Sequence, residues 1–185
     1  LIVVGSSYSH YQKQLESLIR KEGLEDRIHV LPFQENIFPI LNQADILLVC
    51  SRNEAFGLVT LEGMLMQKAV IGSNSGGTLE MIKDGETGLL YKPGDIQDLA
   101  NRIEYLIDNP EIRDELGKNA FQFADEKFRR EDFVKDYYRT LMAYQNTSST
   151  GSEIVQDFLN RFYEFQFLKV SEAVENNRSD LRSKE

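Results

Sequence analysis

Short apolar runs and helically spaced apolar positions alternate along residues 1–91. Residues 1–4 are an unbroken apolar run closed by Gly5, the mark of a core strand. Residues 8–22 carry Tyr11, Leu15, Leu18 and Ile19 at helical spacing and end at Gly23, a helix C-cap. Residues 27–31 read as a second strand stopped by Pro32. Residues 35–43 read as a short helix with Ile37, Ile40 and Leu41 facing in. In residues 45–50, Ile46, Leu47, Leu48 and Val49 follow one another, which fits a strand buried on both faces of a parallel sheet. From Leu58 the period becomes helical, through Leu61, Leu65 and Met66. A fourth strand is predicted at 69–72, one or two helical turns at 78–83, and a fifth strand at 88–91 before Lys92-Pro93-Gly94-Asp95. Strands alternating with helices through short connections predict an α/β fold: a Rossmann-like, doubly wound parallel sheet.

Beyond Asp95 only helices are predicted, so the fold acquires extra C-terminal helices. Residues 95–108 place Ile96, Leu99, Ile103, Leu106 and Ile107 on one side, a second helix runs from Pro110 to about 128, and a third covers 131–145. Residues 146–152, NTSSTGS, have linker composition. Residues 153–176 resume an apolar face of Ile154, Phe158, Phe162, Phe165 and Leu168. The expected organisation is one Rossmann-like domain over 1–145 and a linker with an amphipathic helical tail over 146–185. That apolar face needs cover, either from the body of its own chain or, as the preferred expectation, from a second copy in a homodimer through 153–176.

Composition narrows the function classes. Of 185 residues, 41% are hydrophobic and 28% charged, as in ordinary globular proteins. A net charge of -9 argues against nucleic-acid binding and against a basic membrane-surface patch. Cys50 is the single cysteine; lying in an apolar run, it is expected to be a buried, inert thiol. His10 and His29 have no cysteine partners to make a zinc site, and His29, within a strand, is expected to be structural. No run approaches a membrane span, and residues 1–5 lack signal-peptide features, so a cytoplasmic location is expected. An opening in mid-strand suggests a piece of something longer. No GxSxG, GxGxxG or Walker sequence occurs.

The candidate chemistry lies where the third strand turns into its helix. Ligands bind at the carboxyl ends of strands in open parallel sheets. Glu54 sits in that turn, and Glu62 lies eight positions later, just over a turn into the helix. Between them, the free amides of Phe56, Gly57, Leu58, Val59 and Thr60 and the helix dipole suit a phosphate. Two hydroxyl-accepting carboxylates around an amide nest match a nucleotide sugar, a pyrophosphate between two polyols. Taken alone, the spacing fits equally a solvated turn residue and an ordinary helix-surface charge. Likewise Ser75-Gly76-Gly77, at the mouth of the fourth strand, fits either close backbone approach to a ligand or a plain tight turn.

Residues 51–95 resemble the donor-binding core of the retaining GT-B glycosyltransferases of family 4, "group 1". The match runs in order through Glu54, Phe56, Gly57, Glu62, Gly76, Gly77, Glu80, Asp84, Gly85, Gly88 and Leu89. The resemblance covers about residues 1–145, the C-terminal, nucleotide-sugar-binding domain of such enzymes. It implies sugar transfer from a nucleoside diphosphate sugar with retention of configuration and with no metal or other cofactor. It further implies that Glu54 contacts the transferred sugar, as the catalytic residue of the set, and that Glu62 binds the ribose. Amides from Phe56 to Thr60 then meet sugar and pyrophosphate, and Leu31 and Pro32 lie beside the base. A front-face mechanism, in which the leaving phosphate helps deprotonate the acceptor, needs no side-chain nucleophile. The family's basic pair and its N-terminal acceptor domain have no counterpart in this sequence, so this chain alone is expected to be inactive. Phe33, Gly63 and Gln67 depart from the common pattern, and the tail beyond Asn146 lies outside the resemblance. Two alternatives compete: a non-catalytic partner subunit, favoured less by the intact Glu54/Glu62 pair, and a nucleotide-sugar epimerase of the same fold, for which no extra acid or base is in place.

Overall fold

The computed structural model describes residues 1–5, 9–52, 54–55 and 57–128. The expected helices at 131–145 and 153–176, the linker, and the dimer proposed through the tail lie outside the described residues. The chain forms two compact units, Leu1–Pro39 and a second from Ile40 onward.

In the first unit, β1 (Ile2–Val4) and β2 (His29–Leu31) pair in parallel, Val3 opposite Val30. They are joined by α1 (Ser9–Lys21), whose Arg20 and Lys21 lie at the negative end of its dipole. Ile19 is the buried residue of that helix; Tyr11 and Leu18, expected to face in, are exposed. His29 is exposed as well, so the expected structural role inside a strand is corrected.

The unit boundary falls within α2 (Phe38–Gln43), which begins three residues later than its apolar spacing predicts. The second unit continues β3 (Ile46–Val49), α3 (Leu58–Leu65), β4 (Ala69–Ser73), α4 (Thr78–Met81), β5 (Leu89–Tyr91), α5 (Ile96–Asp108) and α6 (Pro110–Lys127). Its strands form a parallel sheet in the order β3-β4-β5, with Ile71 opposite both Leu48 and Leu89. Parallel strands need covered faces, and both are covered. On one face Val49 and Val70 pack with Leu61, Met64 and Leu65 of α3 and with Ala120 and Ala124 of α6. On the other, Ala69, Ile71, Leu89 and Tyr91 pack with Leu106 of α5 and Leu116 of α6.

Two expectations change here. The strand buried throughout is β4, all five residues of it; in β3, Ile46, Leu47 and Leu48 stay half-buried and only Val49 is fully enclosed. A central strand has neighbours on both edges, which an apolar run alone does not disclose. Cys50, one residue past β3, is exposed and not the buried thiol its apolar flank suggests. On α5, Ile96 and Ile107 also turn outward, while Leu99 and Ile103 pack beside the buried Leu106.

The outer edge of β5 is closed by carboxylates. Alternate residues of β5 point their amides toward β4; Leu90 and Lys92 point theirs away. Leu90 N–H donates to Asp84 Oδ1 and Lys92 N–H to Asp98 Oδ2, each at 2.8 Å. Arg102 spans the two acids, with Nη1 3.8 Å from Asp84 and Nε 3.4 Å from Asp98. The Asp of the D-G-x-x-G sequence thus completes a strand edge that would otherwise be open to another chain.

Candidate functional site

The site begins with a main-chain constraint. α3 has no side-chain cap, and its N-cap is Gly57, at φ 81° and ψ 44°. That left-handed conformation is one that a side chain disfavours. The first i→i−4 bond of the helix is Leu61 N–H to Gly57 O. The amides of Leu58, Val59 and Thr60 therefore head the helix, ahead of its ladder, with the positive end of the dipole. The helix starts at Leu58, two residues after the first of the five amides expected there. Phe56 itself lies outside the described residues.

Glu54 is half-buried in the turn before Gly57. The turn is fixed from the side: Gly77 N–H donates to Glu54 O at 2.7 Å. A Cβ on Gly77 would drive into the Ala55 carbonyl and come within 3.2 Å of Glu54 O. The two glycine-bearing turns after β3 and β4 are thus locked together through backbone. Gly77 is buried under that contact, whereas Gly76, at φ 54°, is exposed.

Glu62 is half-buried on α3, and burial pushes its carboxyl above the usual carboxylate range. Between the two acids, Thr60 is fully buried and its Oγ1 finds no hydrogen-bond partner among the described residues. Leu58 and Val59 expose their side chains. The fold therefore brings Glu54, Gly57, Leu58, Val59, Thr60, Glu62, Gly76 and Gly77 into one unit, at the carboxyl ends of β3 and β4. Leu31, half-buried, and Pro32, exposed, end β2 in the first unit and are described with that unit alone.

A feature not anticipated from sequence lies at the same end of the sheet. A cleft of about 140 Å³ opens there, lined among others by Cys50, Arg52, Ser73, Tyr91, Asp95 and Ile96. Ser73 and Tyr91 are buried, and Ser73 Oγ shares a hydrogen bond with Ser75 Oγ at 3.0 Å. Burial, then the Cys50 thiol beside it, push the Tyr91 hydroxyl above its usual pKa, so it stays protonated. The usable signal was positional: each of these residues ends a parallel strand or follows one.

An open parallel α/β unit with a glycine-capped helix and paired acids at its strand ends is the nucleotide-binding class of fold. The comparisons narrow it. Residues 1–123 match the glycosyl transferases group 1 family, and the chain belongs to that family. It is 35% identical to N-acetyl-alpha-D-glucosaminyl L-malate synthase of Bacillus anthracis over 120 residues, 65% of this chain and 32% of that one. In structure it is similar to Anabaena Alr3699/HepE in complex with UDP-glucose, at a TM-score of 0.73 and 31% identity, over 77% of this chain and 40% of the other. It is also similar to the C-terminal domain of a group 1 glycosyl transferase (LpcC) from Francisella tularensis. There the TM-score is 0.64 and identity 28%, over 70% of this chain and 69% of the other. The chain spans about a third of the length of the curated relative. Among the described residues no helix is long and apolar enough to cross a membrane.

Proposed function

We propose that the chain is the donor-binding part of a retaining glycosyltransferase, of the hexosyl-transferring kind, that uses a nucleoside diphosphate sugar without a metal. The observation that carries this reading is the arrangement around α3. An amide-lined helix start lies between Glu54, held by Gly77, and the desolvated Glu62. The UDP-glucose complex of the Anabaena relative supports the ligand class.

In this reading the diphosphate lies over the amides of Leu58 to Thr60, where the dipole offsets its charge. Glu62 accepts from the ribose hydroxyls and Glu54 from those of the sugar. Transfer breaks the bond between the anomeric carbon and the phosphate oxygen. The acceptor oxygen bonds to that carbon on the same face, and its proton passes to the leaving phosphate. The side chains position and stabilise the leaving charge without a covalent intermediate.

Calorimetric titration of uridine diphosphate and UDP-glucose into the 185-residue chain and its variants tests the reading. Glu62→Gln should weaken both ligands, since both carry the ribose. Glu54→Gln should weaken UDP-glucose and spare uridine diphosphate. Loss of charged hydrogen bonds should cost about 1.5–3 kcal/mol in each affected case. Equal losses for both ligands at both positions would reject the division of roles. Unchanged binding in both variants would reject the site.

A further inference from the structure

The cleft at the ends of β3, β4 and β5 shares no lining residue with the Glu54/Glu62 set. Arg52 lines it and is exposed. Among the described residues of the second unit there are three arginines. Arg102 holds Asp84 and Asp98, Arg113 holds Asp114, and Arg52 has no acidic partner among the described residues. The chain has 30 acidic and 21 basic residues, and Arg52 stands at a strand-end cleft with no acidic partner among the described residues.

The carboxylate nearest to hand is engaged elsewhere. Asp95 Oδ1 accepts Asp98 N–H at 3.1 Å as the cap of α5, and Oδ2 lies 3.9 Å from Lys92 Nζ. Neutral groups complete the lining: the Ser51 hydroxyl, and the Tyr91 hydroxyl, which is engaged with the Cys50 thiol and Ser73. The loop forming one wall is held by the carboxylates of Asp84 and Asp98 through Arg102, so the cleft does not depend on a ligand for its shape. Its volume of about 140 Å³ is roughly four to five times a water molecule's share of the liquid. That is room for one anionic group with a short stem.

We propose that this cleft is a second subsite that takes a small oxyanion, a carboxylate or a phosphate ester, with Arg52 as its charge partner and the Ser51 hydroxyl as a further donor. A guanidinium fork suits either oxyanion and grips it through two parallel hydrogen bonds. On the glycosyl-transfer reading this subsite is separate from the Glu54/Glu62 set, with which it shares no lining residue. The anion binding itself stands without that reading.

Cys50 supplies the test. It is the single cysteine of the chain, it is exposed, and it lines the cleft. The rate of its alkylation by iodoacetamide is measured on the full chain against increasing tartrate, inorganic phosphate, glycerol, or sodium chloride at matched ionic strength. The expected result is a saturable, several-fold slowing by tartrate or by phosphate, and none by glycerol or chloride. Protection by tartrate alone assigns the carboxylate, and protection by phosphate alone the phosphate ester. Arg52→Gln, measured against its own rate without anion, should lose the protection; Arg52→Lys should regain part of it. Glu62→Gln, which weakens donor binding on the reading above, should keep the protection in full, so failure of one idea is separable from failure of the other. The proposal is overturned by absence of saturable protection with both anions, by equal protection in Arg52→Gln, or by loss of protection in Glu62→Gln.

Discussion

Gly77 N–H donates to the Glu54 carbonyl over 2.7 Å, and no side chain fits between the two turns they belong to. A sugar-contacting carboxylate, on the proposed function, is therefore placed by a residue twenty-three positions away that need not touch ligand. The glycine pair after β4 serves the turn after β3 by permitting backbone to meet backbone.

Gly77→Ala is the direct test of that lock. The new methyl meets main-chain atoms of Ala55, which cannot rotate aside, so overpacking should cost about 1–3 kcal/mol in denaturant unfolding. Binding of UDP-glucose should weaken along with it. An unchanged midpoint would show that the turns are free to separate.

Glu62 should set stability against function. Its folded-state pKa is raised by burial, so the folded chain holds the proton more tightly than the unfolded chain does. The contribution to stability is fully present below the ordinary carboxylate pKa and is lost as pH rises through the higher folded value. Glu62→Gln should accordingly melt above wild type at neutral pH, with the gap closing in acid, while nucleotide binding is weakened. Melts from neutral to acid pH on both proteins check the crossover.

Asp98 should behave in the opposite sense. The Lys92 N–H it accepts, then the Arg102 guanidinium, hold its carboxyl below the usual aspartate range. Its contribution is present above the ordinary aspartate pKa and is lost as pH falls through the lower folded value. Asp98→Asn should narrow the stability difference between neutral and strongly acidic solution. A wild-type acid profile in the variant would remove Asp98 from the β5 edge arrangement.

The end of α3 offers a stabilising change. Lys68 N–H donates to Gly63 O and Gln67 N–H to Met64 O, the bonding pattern of a Schellman cap. Gln67 takes the left-handed position, at φ 56°, where glycine is usual. Gln67→Gly should raise stability by about 0.5–1 kcal/mol, the left-handed strain relieved being partly offset by the entropy of glycine in the unfolded chain. Gly117→Ala should do the reverse, because its Cβ would meet the Gln67 carbonyl. Urea titration of the two variants measures both signs.

How much of this was legible in the sequence follows from the range of the forces involved. Period and punctuation are local: the apolar run at Ile46, the glycine at 57 and the helical spacing from Leu58 belong to neighbours in the chain. They fixed the order of elements and set Glu54 and Glu62 around a helix start. Burial is not local. Four apolar residues in β3 predict an enclosed strand, yet enclosure went to β4, because β4 alone has a described strand on each edge. Cys50 is exposed because β3 ends one residue before it, at the rim of the sheet. The cleft joins Arg52, Ser73, and Tyr91 with Asp95 from three segments, and only parallel register carries those strand ends to one level. The sequence by itself determined the elements, the family and the paired acids, since each is written in residues close along the chain. The tertiary structure decided which strand is central, which glycine locks the Glu54 turn and which strand ends line the cleft with Arg52, because each depends on contacts between segments the chain keeps far apart.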